Sequence, residues 1–147
     1  MNALDVMWIG IGGGAGSLLR WYVGLKVGER YQGAFPMGTF LINVTGAFVI
    51  AYLSVLFGVD WRDRFGSGIN AGVLTGVLGG YTTFSSMQLD AAKLADSGRG
   101  KLATGYLLLS TVAGLAAAVF GAWLAMLQGQ EDDMINLVIL VFVGGAF

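Results

Sequence analysis

The chain has no cysteine and no histidine, and a single proline in 147 residues. Without thiols or imidazoles there are no disulfides, no Cys/His metal sites, no thiolate nucleophile and no imidazole acid–base chemistry. Most enzyme classes are excluded by this alone. Charge is also scarce. Asp, Glu, Lys and Arg make up 12% of residues, about half the share that coats a soluble domain. Lys and Arg number eight against nine acidic residues, so no basic footprint for nucleic acid exists.

What remains is apolar and rich in glycine: 56% hydrophobic residues, 25 glycines and a mean hydropathy of +0.73. Glycine at this density, in an apolar chain and without a G-X-Y period, points to helices packed backbone to backbone in lipid. A spanning helix needs about 20 apolar residues. The stretches 33–59, 65–89 and 102–130 carry no charge, and a fourth run from Val6 is interrupted only by Arg20, which can snorkel from near the end of a span. Four transmembrane helices are therefore expected, over about 3–25, 35–58, 66–96 and 102–128. The runs are continuous rather than alternating, which argues against a β-barrel. No basic segment precedes the first run, so a signal peptide is not expected.

The expected loops 26–32, 60–64 and 97–101 are too short to fold as soluble domains, so function must lie on helix faces within a multi-pass membrane protein. Lys26, Arg30, Arg99 and Lys101, with Arg20 and Lys93, fall on one side, and Arg62 and Arg64 on the other. By the positive-inside rule the first and third loops are cytoplasmic. Residues 1–128 read as the four-helix unit. Residues 129–147 read as a polar linker followed by a short apolar tail from Met134, which ends in Gly144-Gly145-Ala146, similar to Gly13-Gly14-Ala15 of the first helix.

Gly10-x-Gly12-x-x-Ala15 has the spacing of a dinucleotide-binding loop, but no strand or βαβ unit accompanies it. As a small-residue stripe it serves close helix approach. Thr39, Asn43 and Gly46 recur at helical spacing in the second span. Asn43 there is either an interhelical hydrogen-bonding group or a donor lining a polar pathway. Gly79-Gly80-Tyr81-Thr82-Thr83-Phe84-Ser85-Ser86 places two glycines and four serines or threonines within the third span. This composition predicts a broken helix, a feature of ion and substrate sites in transport proteins. Tyr106 and Ser110 share a face of the fourth span, and Gly105, Gly114 and Gly121 suit close packing. The spans offer hydroxyls, an amide and aromatic edges rather than interior carboxylates. Such donors suit a small anion, and the positive edge of the Phe84 ring adds to them.

Gly12-Gly13-Gly14-Ala15-Gly16 with Arg20, Gly38-Thr39 with Asn43 and Gly46, and Gly79-Gly80-x-Thr82-Thr83-Phe84-Ser85 together resemble the Fluc (CrcB) family of bacterial fluoride channels over about residues 5–128. The resemblance implies passive efflux of fluoride across the bacterial inner membrane through an antiparallel, dual-topology dimer with two pores. It implies a fluoride pathway containing Asn43, Phe84, Ser85, Met87, Tyr106, Ser110 and Arg20. It also implies a structural Na⁺ at the dimer interface, held by the backbone carbonyls of Gly79 and Thr82. Met87 stands where the family usually has a second phenylalanine, and Gly114 and Ala118 stand where the hydroxyl track often continues. The partner is a second copy or, given the six-to-two charge bias, a homologous subunit. The alternatives are a small multidrug-type four-span exporter, for which the first span lacks a glutamate, and a non-conducting partner subunit of a heteromeric channel.

Overall fold

The computed structural model describes residues 3–56 and 70–144, without the side chains of 70–71 and 129–144. Among the described residues all regular structure is helical: α1 (Ala3–Arg30), α2 (Met37–Leu56), a π-helical segment (Asn70–Val77) leading into α3 (Leu78–Tyr81), α4 (Phe84–Asp96) and α5 (Gly100–Gly144). The expected loop 60–64 with Arg62 and Arg64, and residues 145–147, lie outside the described residues. The third expected span is thus built from three pieces, with Thr82 and Thr83 as the break.

α2 and the Gly100–Gln128 part of α5 are each long and apolar enough to cross a bilayer, with hydropathies of 1.9 and 2.0. They pack along one another, while α1 lies against the π-helical segment and α3, and α4 against α5. α1 runs five residues past its expected end, to Arg30, and Lys26 and Glu29 pair at 2.8 Å across its exposed last turn. Gly98, at φ +78°, ends the short turn between α4 and α5, a conformation that only glycine adopts without cost. α5 continues through the polar residues 130–133, where a linker is expected. Its 45 residues reach roughly 68 Å at 1.5 Å each, more than twice a bilayer's hydrocarbon thickness.

Of the expected stripe Gly10, Gly12 and Ala15, Gly12 makes a close helix contact, which Gly16 one turn further extends. A Cβ at Gly12 would collide with the Gly72 carbonyl, one at Gly16 with the Val77 carbonyl, and one at Gly80 with the Gly13 carbonyl. α1 and the π-helical segment therefore meet main chain to main chain. Gly10 lies outside this contact, with open space around it. Of the three packing glycines expected on α5, Gly121 meets the Phe48 carbonyl of α2, whereas Gly105 and Gly114 face open space.

The interior is small. Tyr106 and Leu74 are the largest side chains fully buried among the described residues. Met87, Ala91 and Leu94 of α4 close over Ala103 and Tyr106 of α5 in one cluster, which Phe35 and Phe40 seal from the side. Outward, α1 presents Leu4, Met7, Ile11 and Leu18, and α5 presents Leu108, Val112, Leu115 and Val119, each at least half exposed. Apolar rows of this extent on two helices are intelligible in lipid and not in water.

Candidate functional site: the interrupted helix

The break is organised around one residue. Thr83 is extended at φ −152° and ψ 111°, and its side chain caps α4 by accepting from the Ser86 N–H at 3.1 Å. An N-cap of this kind is worth about 1 kcal/mol. Its peptide is held from α2. Asn43 Nδ2 donates to the Thr83 carbonyl at 3.0 Å, and the Thr83 N–H donates to Asn43 Oδ1 at 2.8 Å. The Asn43 amide thus closes a two-bond clip on the interrupted backbone, and its second Nδ2 hydrogen remains to donate elsewhere.

These pairings explain what the break leaves free. In an unbroken helix the Gly79 carbonyl would accept from the Thr83 N–H and the Thr82 carbonyl from the Ser86 N–H. The first of those donors goes to Asn43 and the second to the Thr83 hydroxyl. The Thr82 carbonyl instead receives a long hydrogen bond, 3.4 Å, from Arg20 Nη1. Gly79 is exposed, and nothing lies within 4 Å of the position a Cβ would take. Two hard oxygen acceptors three residues apart, released from helical pairing, are a donor set that suits a small hard cation such as Na⁺. The Thr82 side chain points back, bonding the Leu78 carbonyl at 3.0 Å and packing on Gly46 of α2.

Arg20 also lines an open recess of about 600 Å³ between α1, α2 and α4, with Thr39, Thr83, Ser86 and Asp90 on its walls. Asp90 accepts a 2.6 Å hydrogen bond from Thr39 Oγ1, joining α4 to α2 beside the arginine. Asp90 is absent from the expected site residues. A carboxylate just past a 25-residue uncharged stretch is a functional signal in a membrane span, but its partner lies 51 residues away and is invisible to local pattern.

The expected pathway residues divide into two groups. Tyr106 and Ser110 are buried, at 0% and 4% exposure, and neither Tyr106 Oη nor Ser110 Oγ makes a hydrogen bond of full geometry, although the Thr39 and Ser110 hydroxyls lie beside Tyr106 Oη. Thr75 Oγ1, on the π-helical segment, is buried in the same condition, and buried hydroxyls without a well-formed hydrogen bond are costly and uncommon. Met87 lies in the same buried cluster as Tyr106, and the Phe35 ring meets Tyr106 edge-on with centroids 5.3 Å apart. Phe84 and Ser85, at the first turn of α4, are turned outward instead, Phe84 at 72% exposure. Within one chain the Phe84 ring therefore does not reach the Tyr106–Ser110 pair.

Apolar spans, an interrupted helix clipped by an asparagine and a polar recess beside the break define a polytopic membrane protein of the channel and transporter class. Residues 7–122 match the family described as CrcB-like protein, Camphor Resistance (CrcB), and the chain belongs to that family. It is 69% identical over 125 residues to fluoride-specific ion channel FluC 2 of Yersinia pseudotuberculosis, covering 85% of this chain and 99% of that protein. It is 67% identical over 129 residues to fluoride-specific ion channel FluC 2 of Brucella suis, covering 88% and 100%. A more distant relative, fluoride-specific ion channel FluC of Rhizobium meliloti, is 38% identical over 127 residues, covering 85% and 97%.

Proposed function

We propose that this protein is a fluoride channel subunit of the bacterial inner membrane, lowering cytoplasmic fluoride by passive efflux, and that it is a channel rather than an enzyme. The family assignment favours this over the four-span exporter. The observation that carries the ion chemistry is the pair of buried hydroxyls on Tyr106 and Ser110, one turn apart on α5 and beside the Thr39 hydroxyl. A strongly hydrated anion gives up its water only to aligned donors. Here the donors are these hydroxyls, the free hydrogen of Asn43 Nδ2, the Ser85 hydroxyl and the positive edge of the Phe84 ring. Met87 fills the wall behind Tyr106, and Arg20 supplies positive charge in the recess through which the ion approaches.

The outward Phe84 ring needs a facing surface to close a pore, which supports an antiparallel dimer of two copies. At the axis of that dimer the Gly79 and Thr82 carbonyls of both subunits would hold a structural Na⁺, whose charge ties the two breaks together. The six-to-two charge bias supports a second reading, in which this chain inserts one way and pairs with a homologous subunit. Liposomes containing the purified chain alone test both readings. Fluoride efflux well above chloride efflux is expected. Absence of efflux both from folded dimers and after co-reconstitution with a homologue would overturn the channel assignment. Activity that appears only on co-reconstitution with a homologue would replace the homodimer by the heteromer.

A further inference from the structure

The crossing of α1 and α2 has two sides. One carries Arg20 and Thr39 and opens into the recess beside the break. The other forms a separate groove of about 470 Å³ that shares no residue with the first. Its walls are apolar: Val23 and Val27, one turn apart on α1, face Met37 and Leu41, one turn apart on α2. Its end is basic and aromatic, formed by Lys26, Arg30 and Tyr31. Lys26 and Arg30 are themselves one turn apart, so both heads rise from the same α1 face. Glu29 takes one of the three Lys26 donors at 2.8 Å, and among the described residues no carboxylate pairs with Arg30.

We infer that this groove is a binding site for an anionic phospholipid. The acyl chain lies between the valine row and the Met37–Leu41 row, and the headgroup phosphate is held by Arg30, with Lys26 and the Tyr31 hydroxyl beside it. Charge complementarity selects the occupant. A detergent-like apolar ligand would leave Arg30 unpaired, and a free phosphate would leave the apolar walls uncovered. A phospholipid satisfies both, with its phosphate at the depth where α1 leaves the hydrocarbon and its basic residues cluster. Guanidinium binds phosphate in a planar, two-pronged geometry, which makes Arg30 the principal contact. The inference rests on the chain spanning a membrane and not on which ion it conducts.

Native mass spectrometry of the purified full-length protein with equal phosphatidylglycerol and phosphatidylcholine tests it, with the monomer–dimer ratio read in the same spectra. The wild type is expected to retain phosphatidylglycerol preferentially. Arg30→Gln with Lys26→Gln should reduce that retention by about tenfold, the weight of one charge-assisted contact. Val27→Trp fills the groove without altering charge and should reduce it as well. Equal retention of the two lipids by the wild type, or undiminished phosphatidylglycerol on the double variant, would overturn the site. A shift of the variants toward monomer with lipid retention unchanged would show that a second copy of the chain covers this groove instead.

Discussion

The Asn43 side chain and the Thr83 peptide satisfy each other twice, with Nδ2 donating to the Thr83 carbonyl at 3.0 Å and the Thr83 N–H donating to Oδ1 at 2.8 Å. Asn43 is therefore the clasp that fixes where the helix stops, and in the proposed pathway its remaining amide hydrogen is a donor to the ion. Asn43→Asp keeps the acceptor but sets a carboxylate against a carbonyl and removes both amide hydrogens. Fluoride efflux from liposomes should be abolished, with thermal stability lowered by about 1–3 kcal/mol for the unsatisfied carbonyl. A folded, dimeric Asn43→Asp protein that conducted normally would remove Asn43 from the pathway.

Thr39→Val tests the link between α2 and α4. The substitution is nearly isosteric but deprives Asp90 of its 2.6 Å donor. Hydrogen bonds to charged groups contribute about 1.5–3 kcal/mol, so the unfolding midpoint in detergent should fall accordingly. A variant as stable as the parent would mean that the Asp90 carboxylate finds an equivalent partner in the recess.

Met87 is 8% exposed and packed against Tyr106, Ala91, Leu94 and Ala103. Met87→Ala should cost about 2–5 kcal/mol by leaving a cavity in that cluster. Met87→Leu should cost less than about 1.5 kcal/mol. Thermal unfolding of the two variants side by side checks the ordering.

Cation dependence separates backbone from side chain at the break. Thr82→Val keeps the carbonyl and the methyl that packs on Gly46, losing only the hydroxyl bond to Leu78. Its dimers should retain the parent's preference for Na⁺ over N-methyl-glucamine, read as dimer fraction by size exclusion at graded protein concentration. Dimers of the parent indifferent to the cation would eliminate the Na⁺ site at Gly79 and Thr82.

Glycines on α1 should respond according to what faces them. Gly16→Ala drives a methyl into the Val77 main chain and should destabilise the fold by about 1–3 kcal/mol, as overpacking does. Gly28→Ala meets open space and should be neutral or stabilising by up to about 1 kcal/mol, the helix-propensity difference. Melting curves for the pair suffice.

The sequence carried the positions of α2 and the Gly100–Gln128 part of α5, the two described helices long and apolar enough to cross a bilayer, because lipid forbids charge over about 20 residues, a constraint readable without any partner. It carried the break at Thr82–Thr83 because two glycines followed by hydroxyls are poor at continuing a helix and good at capping the next one. The stripe of Gly10, Gly12 and Ala15 was legible as a close-contact surface, and Gly12 makes that contact while Gly10 does not; Gly16, one turn on, and the facing Gly72 and Val77 were not legible, since the latter two lie in a π-helical turn that no residue pattern announces. The Thr39–Asp90 bond and the Asn43–Thr83 clip were hidden for the same reason. Each joins residues 40 or more apart through a single polar contact, and local periodicity contains no term for such pairing. Phe84 was legible as a chemical type, but its outward orientation was not.

The contact between α1 and the π-helical segment has a genetic corollary. Where two side chains meet, an enlarged residue on one side can be accommodated by a reduced one opposite, and suppressor pairs mark the interface. Across from Gly12 and Gly16 there is only peptide backbone, which no substitution can trim. Second-site revertants of Gly12→Ala or Gly16→Ala should therefore not arise at Gly72 or Val77. They should map to residues that let the whole segment slide, such as those beneath Tyr81 on α2, so that the lesion and its cure lie on different helix pairs.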